Sequence, residues 1–258
     1  MIGRFERHGK AFYGTISCGS VKIANSTYSL SELRVLPPVK PSKIVCVGLN
    51  YFDHAQELEA DIPERPLLFL KPPSSVIGPG ANIVYPESST QVDYEGELAI
   101  VVGRRCRNVR NPEKVVFGYT CFNDVTARDL QREDGQWTRA KSFDTFAPIG
   151  PFIAKELDPL DVSVLTRVNG QVKQHSTTEK LIFDVHHLVR FISRIMTLEA
   201  GDVIATGTPA GVGPLRPGDT VEVTVEHVGT LMNNVISQQD EGQPVPCHEQ
   251  DAREHGDT

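Results

Sequence analysis

The chain has 258 residues, 39% of them hydrophobic and 23% charged, with a formal net charge of −7. That length supports a sizeable core, and the composition is ordinary for a soluble globular enzyme. The acidic balance and the lack of any Lys/Arg-rich block argue against nucleic-acid binding, and no apolar stretch approaches the roughly 20 residues needed to cross a bilayer. The first residues lack the apolar centre of a signal peptide. Five scattered cysteines (Cys18, Cys46, Cys106, Cys121 and Cys247) contain no C-x-x-C pair. They fit reduced thiols in a cytoplasmic protein better than a disulfide framework or a zinc site.

Residues 1–36 read as short strands, clearest at 11–17 and 21–24, and the Pro37-Pro38-Val39-Lys40-Pro41 cluster reads as a linker. Residues 43–49 form an apolar, buried strand. Residues 53–60 predict a short helix with Asn50 or Asp53 as N-cap, closed off by Pro63 and Pro66. His54 and Glu57 stand at i and i+3 on that helix and share a face. A carboxylate beside an imidazole fixes its tautomer and raises its basicity, so the pair can take a proton from water. By spacing alone a solvated helix face is the plainer reading.

Strands follow at 66–70, 97–102 and 117–122, bounded by Gly, Pro and Asn, and Asn111-Pro112 opens a brief helix. The motif Asp93-Tyr94-Glu95-Gly96-Glu97 leads into the apolar run from Leu98 to Val102. Alternate strand residues share a face, so Glu95 and Glu97 project side by side. Adjacent carboxylates repel, and a cation relieves that repulsion. Asp124, closing Gly118-Tyr-Thr-Cys-Phe-Asn-Asp124, supplies a third hard oxygen donor. A carboxylate set without Cys or His favours Mg²⁺, Mn²⁺ or Ca²⁺ over Zn²⁺. On that spacing alone a solvent-facing Glu-x-Glu on an edge strand is the plainer reading.

Arg128 and Gln131 lie at i and i+3 of a helical turn after Asp124. The Arg offers a fork to a carboxylate, and the Gln can position water or an oxyanion. Lys141 is a compact cation suited to an oxyanion or a substrate carboxylate. A surface turn and a surface lysine are the plain alternatives. Leu181, Val185, Leu188, Ile192 and Ile195 repeat at helical spacing and predict one long amphipathic helix. His186 and His187 on that helix, and Trp137, read as packing or surface residues, while Lys71 at most flanks a pocket. A strand at 202–205 leads to Thr208 in a Gly- and Pro-bounded loop. There a hydroxyl and a backbone N–H can meet a carboxylate, or simply form a connecting turn. The turn 216–219 and the alternating strand 221–226 follow. No Gly-rich loop cradles phosphate, so no nucleotide is expected. The whole reads as an α+β fold, mainly mixed β-sheet with few helices.

Several motifs stand in order: Asn50-Tyr-Phe-Asp-His54-Ala-Gln-Glu57, Phe69-Leu-Lys-Pro-Pro, Asp93-Tyr-Glu-Gly-Glu97, Asn123-Asp124-Val-Thr-Ala-Arg128-Asp-Leu-Gln131, Trp137-Thr-Arg-Ala-Lys141 and Ala205-Thr-Gly-Thr208-Pro. This series, spanning residues 42–236, resembles the fumarylacetoacetate hydrolase family. It is most similar to the short members: acylpyruvases, oxaloacetate decarboxylases and 2-hydroxyhepta-2,4-diene-1,7-dioate isomerases. The resemblance implies a mixed β-sandwich roll in a homodimer. The expected layout is a small β-rich N-terminal part and linker over 1–40, the catalytic domain over 41–236, and a polar, poorly packed tail over 237–258.

The resemblance further implies Glu95, Glu97 and Asp124 as ligands of one Mg²⁺ or Mn²⁺ (with Ca²⁺ able to replace it in crystals). Lys141, Arg128 and Gln131 become pocket residues, and His54 with Glu57 a catalytic pair on a mobile lid. The name-giving hydrolases carry a further aspartate ligand ahead of the histidine. Here that stretch is Val45-Cys-Val-Gly-Leu-Asn50, which points away from fumarylacetoacetate as substrate. The expected substrate is a small 2-oxo or 1,3-dicarbonyl acid. In the leading expectation His54/Glu57 activates water, and C–C cleavage of an acylpyruvate leaves an enolate held by the metal and Lys141. The alternatives are decarboxylation of an oxaloacetate-type acid or isomerisation, which need the enolate but no water attack.

Overall fold

The computed structural model describes residues 1–17 and 19–242. Most of the predicted tail, with Cys247, and also Cys18, lie outside the described residues. Cys46, Cys106 and Cys121 are free thiols. No helix among the described residues is long and apolar enough to cross a membrane.

The chain is built mainly of strands, gathered into a twelve-stranded, a five-stranded and a three-stranded sheet. At the centre of the large sheet runs Gly96–Val102, buried along its whole length. Its antiparallel neighbours are Val116–Asn123 and Val203–Ala205; beyond the latter, Ile44–Gly48 joins in parallel and Leu67–Lys71 forms the edge. The run Leu98-Ala-Ile-Val-Val102 is continuously apolar because both faces are covered. Leu98, Ile100 and Val102 face a core shared with Val164, Val223, Val225 and the helix Val185–Ile195. Ala99 and Val101 face a second core with Ile44, Cys46 and Phe122.

The five-stranded sheet (Gln171–Thr177, Ser163–Val168, Thr220–Val225, Gly229–Ser237, Asn82–Tyr85) covers the first core. Ser237, expected to begin the tail, ends a nine-residue strand of this sheet. The N-terminal strands Ile2–Arg7, Lys10–Ser17, Ser20–Ile23 and Ser26–Ser29 have their own core of Phe5, Ile16, Val21 and Leu33. They also extend the large sheet, where Ile2 pairs with Ile153.

Local expectations shift where long-range contacts compete with them. The first helix is Phe52–Glu57, with Tyr51 at the N-cap and no side-chain cap bond. Asn50 does not cap it. Its amide nitrogen donates to the Thr206 and Phe183 carbonyls at 2.7 and 3.1 Å, and its oxygen accepts the Phe183 N–H at 2.9 Å. Asp53 accepts from Ser176 at 2.6 Å instead of capping. The long helix starts at Val185 rather than Leu181, because Asp184 accepts the His187 N–H at 2.7 Å and caps it there. Leu181 forms a bridge with Tyr51, and Ile195, expected on the apolar face, is exposed.

Candidate active site

The acidic residues sit where one buried strand row changes from apolar to charged. Val101, Ala99 and Glu97 follow one another on the same face of Gly96–Val102. Glu95 is not in that strand. It occupies the break between Val92–Tyr94, in the three-stranded sheet, and Gly96–Val102. The chain passes from one sheet to another at this point. The passage needs glycine at 96, since a Cβ there would lie 2.0 Å from Thr166 Oγ1. Asp124 follows the neighbouring strand and donates its N–H to the Glu95 carbonyl at 2.8 Å. The result is convergence: one carboxylate oxygen from each of Glu95, Glu97 and Asp124 lies within 4.8 Å of the others, and all three residues are buried.

Cations surround this cluster. Lys141 Nζ donates to Asp124 Oδ2 at 2.7 Å and to Glu95 Oε2 at 3.0 Å. Arg128 donates from Nε to Asp93 at 2.8 Å, from Nη2 to Glu95, and from Nη1 to Gln131 Oε1 at 2.6 Å. Lys71, fully buried, donates to Asp124 Oδ1 and to the Val125 carbonyl at 2.9 Å. No ion pair reaches Glu97 among the described residues; its Oε2 accepts the Gly207 N–H at 2.8 Å. Gly207 has φ +103, and a Cβ there would press on Asn50 at 2.7 Å, so glycine is required to aim that N–H.

Burial pushes the Glu95 carboxyl up, but Lys141 and Arg128 outweigh it and hold it well below the usual carboxylate range. Burial also pushes Glu97 up. The negative charges of Asp124 and Glu95 add to that push, and the Gly207 N–H and Lys141 offset only part of it. Burial pulls Lys71 down against the opposing pull of Asp124. Burial acts on Lys141 in the same direction, but Asp124 and Glu95 outweigh it and raise it. Asp93, Glu95, Glu97 and Asp124 thus meet three cations, which leaves an excess of one negative charge centred on Glu97. The donor set fits a hard divalent cation: three carboxylates, no thiolate or imidazole, and one acid without a cationic partner.

A cavity of about 370 Å³ opens over the cluster. Glu95, Glu97, Asp124, Arg128, Gln131, Lys141, Thr208 and His54 all line it. Glu57 lies behind His54, with Oε2 3.1 Å from His54 Nδ1, and it accepts the Gly211 N–H at 3.0 and 3.2 Å. The apolar wall includes Val47, Leu58, Leu67, Phe69 and Trp137. Thr208 lines the cavity, but its hydroxyl is engaged inward. It donates to the Gly96 carbonyl at 3.0 Å and accepts from Gln174 Nε2 at 2.8 Å.

Sequence reasoning missed four contributors. Lys71 is at most a flank by its sequence context, yet it shares with Phe69 a strand face turned to the site. The strand Leu67-Leu-Phe-Leu-Lys71 is apolar at every position before the lysine, so no alternation in the sequence marks the face on which Lys71 lies. Asp93, the second acid on Arg128, carries no local mark of that role. Gln174 accepts the Gly96 N–H at 3.0 Å and ties it to Thr208; nothing local marks it. Trp137, read as packing, does pack edge-on to Phe69 at 5.1 Å between ring centroids, and it also lines the cavity. His187, set aside as a ligand, stacks between Phe183 and Phe191.

A mixed β-roll that carries three converging carboxylates, a lysine bridge and a His–Glu pair fits a class of enzymes acting on small molecules. The family model "Fumarylacetoacetate (FAA) hydrolase C-terminal" matches residues 43–236. The chain belongs to this family, whose members bind a divalent metal. It is 44% identical over 249 residues to oxaloacetate tautomerase YisK of Bacillus subtilis, covering 90% of this chain and 83% of that protein. Its fold matches the crystal structure of 5-carboxymethyl-2-hydroxymuconate delta-isomerase from Mycobacterium smegmatis. That match has a TM-score of 0.87 and 45% identity, over 92% of this chain and 98% of the other. Maleylpyruvate hydrolase from Sphingobium sp. SYK-6, solved with manganese(II) and pyruvate, matches with a TM-score of 0.78 and 28% identity. The coverage is 92% of this chain and 98% of that one.

Proposed function

We propose that this enzyme interconverts the enol and keto forms of a 2-oxo acid of the oxaloacetate type. The observation that carries the reading is the His54–Glu57 pair at the wall of a cavity whose floor is the carboxylate–lysine cluster. Tautomerisation needs one proton moved between the enol oxygen and the adjacent carbon, and one group that both takes and gives it suffices. Glu57, anchored on the Gly211 N–H, holds the imidazole through Nδ1 and leaves Nε2 as the nitrogen that carries the proton. The similarity to an oxaloacetate tautomerase and to a delta-isomerase supports the same reading.

Glu95, Glu97 and Asp124 would hold Mg²⁺ or Mn²⁺, which supplies Lewis acidity toward the developing enolate charge. Lys141, buried beside Glu95 and Asp124, adds a fixed positive charge at the same end of the cavity. Arg128, braced by Asp93 and Gln131, orients the acid, and Phe69 and Trp137 give the cavity an apolar wall.

C–C hydrolysis of an acylpyruvate is the second reading. The same His54–Glu57 pair can activate water, and the similarity to maleylpyruvate hydrolase favours it. The test follows enol decay of oxaloacetate with Mg²⁺, Mn²⁺ or EDTA, alongside release of pyruvate from oxaloacetate and cleavage of acetylpyruvate. Faster enol loss without pyruvate release is the expected result. Pyruvate from oxaloacetate would make the enzyme a decarboxylase. Acetylpyruvate cleavage without enol turnover would make it a hydrolase.

A further inference from the structure

Three cationic side chains line the cavity: Arg128, Arg132 and Lys141. Two of them are already matched by acids, Arg128 by Asp93 and Glu95, and Lys141 by Glu95 and Asp124. Arg132 has no carboxylate partner among the described residues. Its Nη1 reaches the Gln91 side-chain oxygen at 3.4 Å, near the limit of a hydrogen bond.

The acids closest in sequence are engaged elsewhere. Asp129 accepts from Ser89 at 2.7 Å and from the Thr90 N–H and hydroxyl at 2.7 and 2.8 Å. Glu133 and Asp134 both pair with Arg139. Arg128, Gln131 and Arg132 stand at i, i+3 and i+4 of the helix Arg128–Asp134, so they share the face that lines the cavity. The cavity is therefore graded: buried carboxylates with matched cations at the floor, and an unmatched, exposed guanidinium at the mouth.

A 2-oxo acid held by its keto-acid end at the floor extends toward that mouth. The cavity wall also includes the hydrocarbon and aromatic side chains Leu58, Leu67 and Trp137, none of which can bind a second carboxylate. We propose that Arg132 is a specificity-determining residue, which binds the second carboxylate of a 2-oxo dicarboxylic acid through its guanidinium fork. Arg suits this role because its planar donors match a carboxylate two to two. The inference rests on the 2-oxo acid reading of the site and adds to it that residue 132 selects for the second carboxylate of such a diacid.

The test compares the wild type with Arg132→Gln and Arg132→Lys, all with Mg²⁺ and at constant ionic strength. Calorimetric titration with 2-oxoglutarate and 2-oxobutanoate measures a diacid against a monoacid, independently of any turnover. The KM and kcat for enol-oxaloacetate and enol-phenylpyruvate make the same comparison in the reaction. Arg132→Gln is expected to weaken the diacids about tenfold in Kd and KM, as for loss of a charge-assisted pair at an exposed position. The kcat and both monoacid constants stay within about twofold, and Arg132→Lys recovers part of the loss. Equal weakening of diacid and monoacid, or no change in either, would overturn the assignment. A wild type that binds the diacid through Arg132 but moves neither enol would refute the proposed reaction and leave Arg132 as the diacid selector.

Discussion

Replacing Glu97 with glutamine removes one negative charge from the cluster and leaves the side chain's volume and its bond from the Gly207 N–H in place. In the metal-free protein this is a relief. Glu97 is an acid whose folded value is raised above its unfolded one, by burial and then by Asp124 and Glu95. Its contribution to stability is present below the unfolded carboxylate range and is lost as pH rises toward the folded value. Metal-free wild type should therefore weaken on going from acid to neutral pH by a component that Glu97→Gln lacks.

A divalent cation reverses the ranking. At a free metal concentration about 100 times Kd, binding stabilises the folded wild type by roughly 2.7 kcal/mol. For a chain of this size, at about 2–4 °C per kcal/mol, that is a Tm rise of roughly 5–10 °C. Glu97→Gln should rise by less than about 2 °C under the same conditions. Differential scanning fluorimetry across roughly pH 5–8, above the ordinary carboxylate range and in the direction in which Glu97 is raised, reads both effects with EDTA, Mg²⁺ or Mn²⁺. A full metal shift in Glu97→Gln, or a metal-free variant less stable than wild type at every pH, would refute the electrostatic argument.

Lys141→Met should cost about 3–5 kcal/mol in metal-free denaturant unfolding, because Glu95 and Asp124 lose a buried partner they share; a change below about 1 kcal/mol would count against that bridge. His54→Ala should lower turnover about 10²–10⁴-fold while the metal-induced Tm shift is kept, since His54 is no part of the acidic cluster; loss of the shift would show that His54 supports the metal instead. The short helix Phe52–Glu57 carries no side-chain cap and leads into exposed residues such as Leu58 and Ile62. Residues 53–65 should gain hydrogen-exchange protection when oxalate binds, as a closing lid does; slow exchange that oxalate leaves unchanged would exclude closure.

The chain by itself carried the donor chemistry and the main architecture. Hard carboxylates at 95, 97 and 124 were legible from residue type and order, and the apolar run 98–102 marked a strand covered on both faces. The i, i+3 spacing paired His54 with Glu57, and Arg128 with Gln131, because one helical turn sets those contacts locally. Tertiary structure decided the rest. Lys71 meets Asp124 across 53 positions of sequence, and Gln174 meets Thr208 across 34. Sheet registers set such pairs, and local periodicity does not encode registers. Asn50 and Asp53, plausible caps by type, bond instead to distant backbone and side chains, because buried polar groups must find partners wherever the fold presents them. Thr208, open to a substrate by its loop context, has its hydroxyl engaged with Gly96 and Gln174. Even the Glu95–Glu97 pairing is reached differently from the strand alternation that predicted it. Glu95 leaves the strand at a sheet-to-sheet crossing that requires Gly96, where a Cβ would meet Thr166, and the distant Arg128 and Lys141 hold its carboxylate.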